Sequence, residues 1–153
     1  ALAAKARGLG LESSVAAAPE QAVRDMDIVV TSVPAGADQK PELDPAWLSP
    51  GSFATMVDLG RSWKKEGLAA LDVIATDDRE QSTELGKAGK LAWSGAFAFD
   101  LGDLAAMKAG AARTANAQRT AFIFPGFALG DLAAAMLIYD RARALGRGTT
   151  LPL

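Results

Sequence analysis

The chain alternates short apolar runs with longer mixed segments, and the spacing inside each segment predicts its element. "DIVVTSVP", Asp27 to Pro34, is a continuous run rich in β-branched residues, the pattern of a strand buried on both faces of a parallel sheet. "SFATMVDLG" and "DVIATDD" follow with the same character, and "TAFIFPG" reads as a short buried strand that stops at a Pro125-Gly126 turn. Helical stretches lie between them: "APEQAVRDM" with Pro19 in its first turn, "KKEGLAAL", and "REQSTELGKAGKL". "ALAAKARGLG" reads as a helix end closed by glycine, "LESSVA" as a short strand, and "KPELDPAWLSPG" as a connector with a short helical turn. The Ala/Gly-rich segment 105–117 fits a marginal helix or a loop. Strands alternating with helices of about ten residues predict right-handed βαβ units in an α/β, Rossmann-like, doubly wound and mostly parallel sheet.

The longest apolar run, "FIFPGFALGDLAAAMLIYDRARALGRG" from Phe122 to Gly148, raises the question of a membrane span. A span needs roughly 20 apolar residues with few or no charges, and this run is broken by Pro125-Gly126 and by Asp131. It reads instead as strand, turn and water-facing helix. Leu132, Met136, Leu137, Tyr139 and Ala144 mark a broad face expected to be buried, while Asp131, Asp140, Arg141 and Arg143 point elsewhere. Asp131 in the first turn and the arginines in the last suit the helix dipole, and Gly146 or Gly148 can supply a left-handed end.

Composition narrows the chemistry. Sixteen basic residues against eighteen acidic ones give a net charge of -2, too weak a field to draw in nucleic acid or an anionic bilayer. Absence of cysteine and histidine removes thiolate nucleophiles, imidazole bases, disulfide scaffolds and the usual zinc ligand sets, so no metal is expected. Any acid or base is therefore Asp, Glu, Lys or Tyr139. The first residues, "ALAAKARGLG", contain no apolar core of signal-peptide length, which predicts a cytoplasmic protein.

Ligands of open α/β sheets bind beyond the carboxyl ends of the strands. Those ends are "TSVPAG", "VDLGRSWKK", "TDDRE" and "FPGF". Together their hydroxyls, carboxylates, glycines and lysines suit a nucleotide and a polar substrate, although each alone is also an ordinary turn. With "DIVVTSVP", "LSPGSF", "MVDLGRSWKKE", "DDREQSTELGKAGKL" and "FIFPGFALGDLAAAMLIYDRARALGRGTTL" in this order, the chain resembles the ornithine cyclodeaminase/mu-crystallin family over nearly its whole length. The resemblance implies a domain binding NAD or NADP, an amino-acid or imine substrate, and oxidoreductase or cyclodeaminase chemistry.

It implies further regions as well. Residues 1–130 would form part of the NAD(P)-binding domain, without its first two strands. Residues 131–153 would be a helix and tail packing toward an N-terminal substrate and dimerisation domain, through which a homodimer would form. In a sheet ordered 3-2-1-4-5-6, "LESSVA" would be strand 3 and "DIVVTSV" strand 4. No G-x-G-x-x-G occurs in the chain, so the pyrophosphate cradle is expected outside it.

Carried over by motif, the implied cofactor contacts fall on Thr31 and Ser32, on Met56 and Val57, on Lys64, and on Pro125 and Gly126 near the nicotinamide. Lys64 also fits a solvated lysine at a helix start, and Asp131 fits a helix cap. Cyclodeaminases of the family place an aspartate where this chain has Gly60, and Asp58 is the carboxylate nearest that position. Two residues along a strand advance the chain by about 6.6 Å, so Asp58 would meet a substrate differently. Asp58 is the candidate catalytic acid or base of a reductase or dehydrogenase. The alternative is a non-catalytic binder of cofactor and small ligand, as in mu-crystallin. A third reading is an interaction module with a partner over an apolar edge.

Overall fold

The structure is a computed structural model that describes residues 2–36, 40–106, 114–126 and 128–151. Four strands, β1 (Ile28–Thr31), β2 (Phe53–Met56), β3 (Val73–Thr76) and β4 (Thr120–Ile123), form one parallel sheet in the order β1-β2-β4-β3. The helices are α1 (Leu2–Gly8), α2 (Pro19–Val23), α3 (Arg79–Lys87), α4 (Leu101–Ala106) and α5 (Ala128–Ala144). Short 3-10 turns cover Pro45–Trp47 and Lys65–Ala70. The α/β, Rossmann-like expectation is met.

Pairing runs in phase across the sheet: Thr31 faces Met56, Met56 faces Ile123, and Ile123 faces Thr76. Alternate residues consequently share a face. Val29, Ala54, Met56, Ala121, Ile123 and Ile74 are buried in one apolar cluster with Leu48, Trp63, Leu68, Leu91 and Phe97. At roughly 25 cal/mol per Å² of apolar area removed from water, this cluster is the main favourable term holding the layers together.

The opposite face is only partly covered. Ile28 and Val30 are 66% and 62% exposed while Val29 and Thr31 are buried, so the expectation that "DIVVTSVP" is covered on both faces does not hold. Among the described residues β1 pairs only with β2 and forms an edge. "LESSVA" is not a strand either, because residues 11–16 meet no ladder partner and adopt no regular structure.

β4 is inserted between β2 and β3, an order that a simple succession 4-5-6 does not anticipate. The start of β4 is clamped to that of β3, since the Arg119 N–H donates to the Asp72 carboxylate at 2.7 Å and the Asp72 N–H donates to the Arg119 carbonyl at 3.0 Å. The outer edge of β3 is blunted by the segment at Phe99: Thr76 N–H reaches the Phe99 carbonyl and Ala98 N–H reaches the Ile74 carbonyl.

Local chemistry sets the other elements. Asp78 caps α3 by accepting from Gln81 N–H at 2.8 Å. "KKEGLAAL" forms a 3-10 turn rather than an α-helix; Gly67 in its middle lies against the Pro45 ring, where a Cβ would stand 2.7 Å from Pro45 Cδ. Within 105–117, α4 ends at Ala106, and residues 107–113 lie outside the described ones.

α5 exists where the sequence places it, but its expected buried face is exposed. Leu132, Met136, Leu137 and Tyr139 are all more than half exposed, because no other described element packs on them. Among the described residues no helix is long and apolar enough to cross a membrane.

Candidate functional site

The carboxyl ends of β1 and β2 are stitched together by buried polar groups. Thr31, last residue of β1, donates its hydroxyl to Asp58 Oδ1 at 3.0 Å. Its oxygen accepts from the Trp63 indole N–H at 3.3 Å. Asp58 lies just beyond β2 and is 2% exposed. Oδ1 also accepts from Gly60 N–H at 3.1 Å, and Oδ2 accepts from the Ser62 hydroxyl at 2.5 Å. A buried carboxylate with this many donors is compensated for the water it has lost.

The turn after Asp58 is sharp. Leu59 and Gly60 have φ of 65° and 75°, a region that costs a branched side chain such as leucine on the order of 1 kcal/mol. Two contacts offset it: Asp58 accepts the Gly60 N–H, and the Leu59 carbonyl accepts from Ala92 N–H at 3.1 Å. A Cβ on Gly60 would stand 2.8 Å from the Ala92 Cβ, so neither space nor backbone conformation admits a side chain there.

Beside this cluster opens a cleft of about 650 Å³, lined among others by Thr31, Ser32, Pro34, Lys40, Glu42 and Ser62. Its walls offer three hydroxyls, one cation and one carboxylate around an apolar strand end, a donor and acceptor set that suits a ribose and a phosphate better than an apolar ligand. Among the described residues no group of three or more His, Cys, Asp or Glu side chains is placed to hold a metal ion.

The other residues singled out from sequence distribute as follows. Met56 is fully buried in the core, and its carbonyl accepts from Phe124 N–H at 3.2 Å. Val57 donates its N–H to the Thr31 carbonyl at 2.9 Å and leaves its side chain 46% exposed. Lys64 turns toward the 3-10 turn at Pro45–Trp47: Nζ lies 3.4 Å from Asp44 Oδ2 and 5.6 Å from the centre of the Trp47 ring. Asp44 is held below its ordinary value of 3.8, chiefly by accepting Ala46 N–H and also by Lys64, against a raising effect of burial. Pro125 and Gly126 form the turn after β4, where the Gly126 N–H donates to Asp77 Oδ2 at 2.9 Å. Asp131 sits in the first turn of α5.

Ser62, Trp63 and Asp77 were not singled out as site residues. Ser62 and Trp63 lie inside the quoted "VDLGRSWKK", but their partners are 4 and 32 residues away in sequence, and only the second distance hides the contact. A small hydroxyl following an Asp-x-Gly turn was the available signal for Ser62.

No curated protein matches the sequence. Among solved structures, an archaeal alanine dehydrogenase dimer with bound NAD has a TM-score of 0.77 at 24% identity, covering 99% of this chain and 48% of the other. The probable ornithine cyclodeaminase of Bordetella pertussis Tohama I has a TM-score of 0.71 at 26% identity, covering 95% and 48%. A Thermococcus litoralis Δ1-pyrroline-2-carboxylate reductase in complex with NADH and L-proline gives 0.73 at 23%, covering 95% and 47%. The chain thus spans about half the length of the structures it matches. The family model described as ornithine cyclodeaminase/mu-crystallin family matches residues 1–146, and the chain, carrying that family's strand-end motifs on this parallel sheet, belongs to the ornithine cyclodeaminase/mu-crystallin family.

Proposed function

We propose that the protein is an NAD(P)-dependent oxidoreductase acting on an amino acid or on its open or cyclic imine, in the cytoplasm. The observation that carries this reading is the Thr31–Asp58–Ser62 cluster, in which two residues bordering a polar cleft at the strand ends donate to one buried carboxylate. Bound there, NAD or NADP would supply or accept the hydride at the α-carbon of the substrate. Thr31 and Ser32 would hold the cofactor at the end of β1, the backbone at Met56 and Val57 would line its path, and Pro125 and Gly126 would pack near its nicotinamide end. Lys64, released from Asp44, closes on a phosphate or ribose group.

Asp58 handles the proton. Its carboxylate is out of reach of solvent, but Ser62 borders the cleft and donates to it. A proton leaving the substrate amine therefore passes to the Ser62 oxygen as the Ser62 proton moves to Asp58, and the reverse accompanies imine reduction. Gly60 favours reductase or dehydrogenase chemistry over cyclodeamination, because that position cannot accommodate an aspartate.

Residues 1–130 form part of the cofactor domain, and residues 131–153 pack toward a substrate and dimerisation region outside this chain. The exposed apolar side chains of α5 support this, as does the dimeric state of the alanine dehydrogenase.

The test is spectrophotometric. The full-length protein is expected to change NAD(P)H absorbance with pyrroline-2-carboxylate or with pyruvate and ammonia, and to release little ammonia from ornithine. A second reading, a non-catalytic binder of the mu-crystallin kind, is favoured by the complete hydrogen bonding of the Asp58 carboxylate. Cofactor binding without turnover across the panel would select it.

A further inference from the structure

At the other end of the row of strand ends stands a second buried carboxylate. Asp77 follows directly on β3 and is 5% exposed. Its Oδ1 accepts from Asp78 N–H at 2.8 Å and from the Thr76 hydroxyl at 3.1 Å. Oδ2 accepts from Gly126 N–H at 2.9 Å, 49 residues away. The Thr76 hydroxyl lies 2.9 Å from the Ile123 carbonyl and 2.5 Å from Ser82 Oγ on α3. Asp77 thereby holds the turn after β4, and the Thr76 hydroxyl, whose single proton serves either Asp77 or the Ile123 carbonyl, lies against the last residue of β4.

That turn needs the grip. Gly126 has φ of 108°, and a Cβ added there would meet nothing within 4 Å. Only glycine adopts this backbone conformation without strain. The Gly126 amide N–H is bound by Asp77.

We propose that Asp77 is a positioning residue for the reaction: it fixes the Pro125-Gly126 turn so that the nicotinamide end of the cofactor, and with it the transferring hydride, is held at one depth relative to the sheet. This rests on the oxidoreductase reading above. A carboxylate is required because both oxygens are used; an amide in its place can turn its single oxygen to Gly126 or to the Thr76 and Asp78 donors, but not to both.

The experiment uses the full-length protein and two probes, NADH and ADP-ribose, the second lacking the nicotinamide. Asp77→Asn is expected to weaken NADH binding roughly tenfold and to leave ADP-ribose affinity within about twofold, since the loss of a charged hydrogen bond is felt only at the turn. Equal losses for both probes, or none for NADH, would overturn the proposal. To cover poor folding of Asp77→Asn, a measurement on the unaltered protein accompanies it: exchange of the Gly126 amide hydrogen, expected to be slowed at least about tenfold relative to an unbonded turn amide. Free exchange at Gly126 overturns the proposal. If the unaltered protein binds neither probe while Gly126 is protected, the oxidoreductase reading fails and the positioning role falls with it, whereas the Asp77–Gly126 contact itself stands.

Discussion

Thr31 and Asp58, 27 residues apart in sequence, meet through a buried hydrogen bond of 3.0 Å that joins the ends of two adjacent parallel strands. The Thr31 hydroxyl is used in both directions, donating to Asp58 and accepting from Trp63. Thr31→Val keeps the shape and removes both bonds. It leaves one indole N–H unsatisfied and Asp58 one donor short, which costs about 1–3 kcal/mol. Thr31→Ser, which keeps the hydroxyl, is expected to lie much closer to the unaltered protein. Urea unfolding of the two variants makes the comparison.

Asp58 and Ser62 are expected to separate from Lys64 in steady-state kinetics. Asp58→Asn is expected to lower turnover roughly a hundredfold or more with little change in cofactor affinity. If the proton passes through Ser62, then Ser62→Ala reproduces that loss. Lys64→Ala raises the cofactor KM and spares kcat, because the lysine acts on the bound state before any chemistry. Full turnover in Asp58→Asn would reduce the carboxylate to a structural group that holds the turn.

Gly60 fixes what this sheet end can become. Gly60→Ala forces a side chain into φ of 75° and into the Ala92 Cβ, for an expected cost of about 1–3 kcal/mol. Gly60→Asp is expected to lower the thermal midpoint further and to give no ammonia from ornithine. Gain of ammonia release in Gly60→Asp would show that the turn can rearrange to accept the carboxylate.

The Asp44–Lys64 pair carries an acid-side signature. Since the folded state holds Asp44 below 3.8, its contribution to stability is complete above the value of the unfolded chain and disappears as pH falls through the lower folded value. The difference in urea midpoint between the unaltered protein and Asp44→Asn should stay constant from neutral pH down to about 5 and narrow below that. A difference that widens in acid would mean the carboxylate is not stabilised in its ionised form.

α5 supplies a test of the assembly. Leu132→Glu and Met136→Glu alter exposed positions of this chain, where surface substitutions ordinarily change stability by within about 0.5 kcal/mol. In the full-length protein both are expected to exceed that and, if the proposed dimer forms through this face, to shift it toward monomer in sedimentation. Unchanged melting and mass would mean that the helix faces water in the whole protein too.

How far the sequence could be read depended on the range of the interaction concerned. β1 to β4 were legible because β-branched and aromatic runs bounded by Gly, Pro and Asp mark strands locally, and α3 was legible from its own helical stretch. Burial was not, because it depends on neighbours: Ile28 and Val30 look like core residues, yet they stand open on a sheet edge, and α5 has an apolar stripe with nothing set against it. "LESSVA" has a strand's residues without a ladder partner. Thr31, Ser32, Pro125 and Gly126 lie at strand ends that periodicity locates, while a role at a cofactor is what the family resemblance implies for them. The turn of Lys64 toward Trp47 and the bond from Gly126 to Asp77 cross from one loop to another, and no local pattern encodes them.

The in-phase pairing of Thr31, Met56, Ile123 and Thr76 makes the sheet a ruler. Neighbouring strands stand about 4.8 Å apart and each residue adds about 3.3 Å along a strand, so the loops that follow start from one straight line about 14 Å long. Inserting a single residue into any one strand would lift its loop off that line by a full step and turn its side chains to the wrong face. Residues one position past the line are under no such restriction. Substitution can proceed at Ser32, Val57 and Phe124 without altering the sheet, Asp77 being tied to Gly126 and Asp78, whereas the strands beneath tolerate substitution by shape but not a change in length.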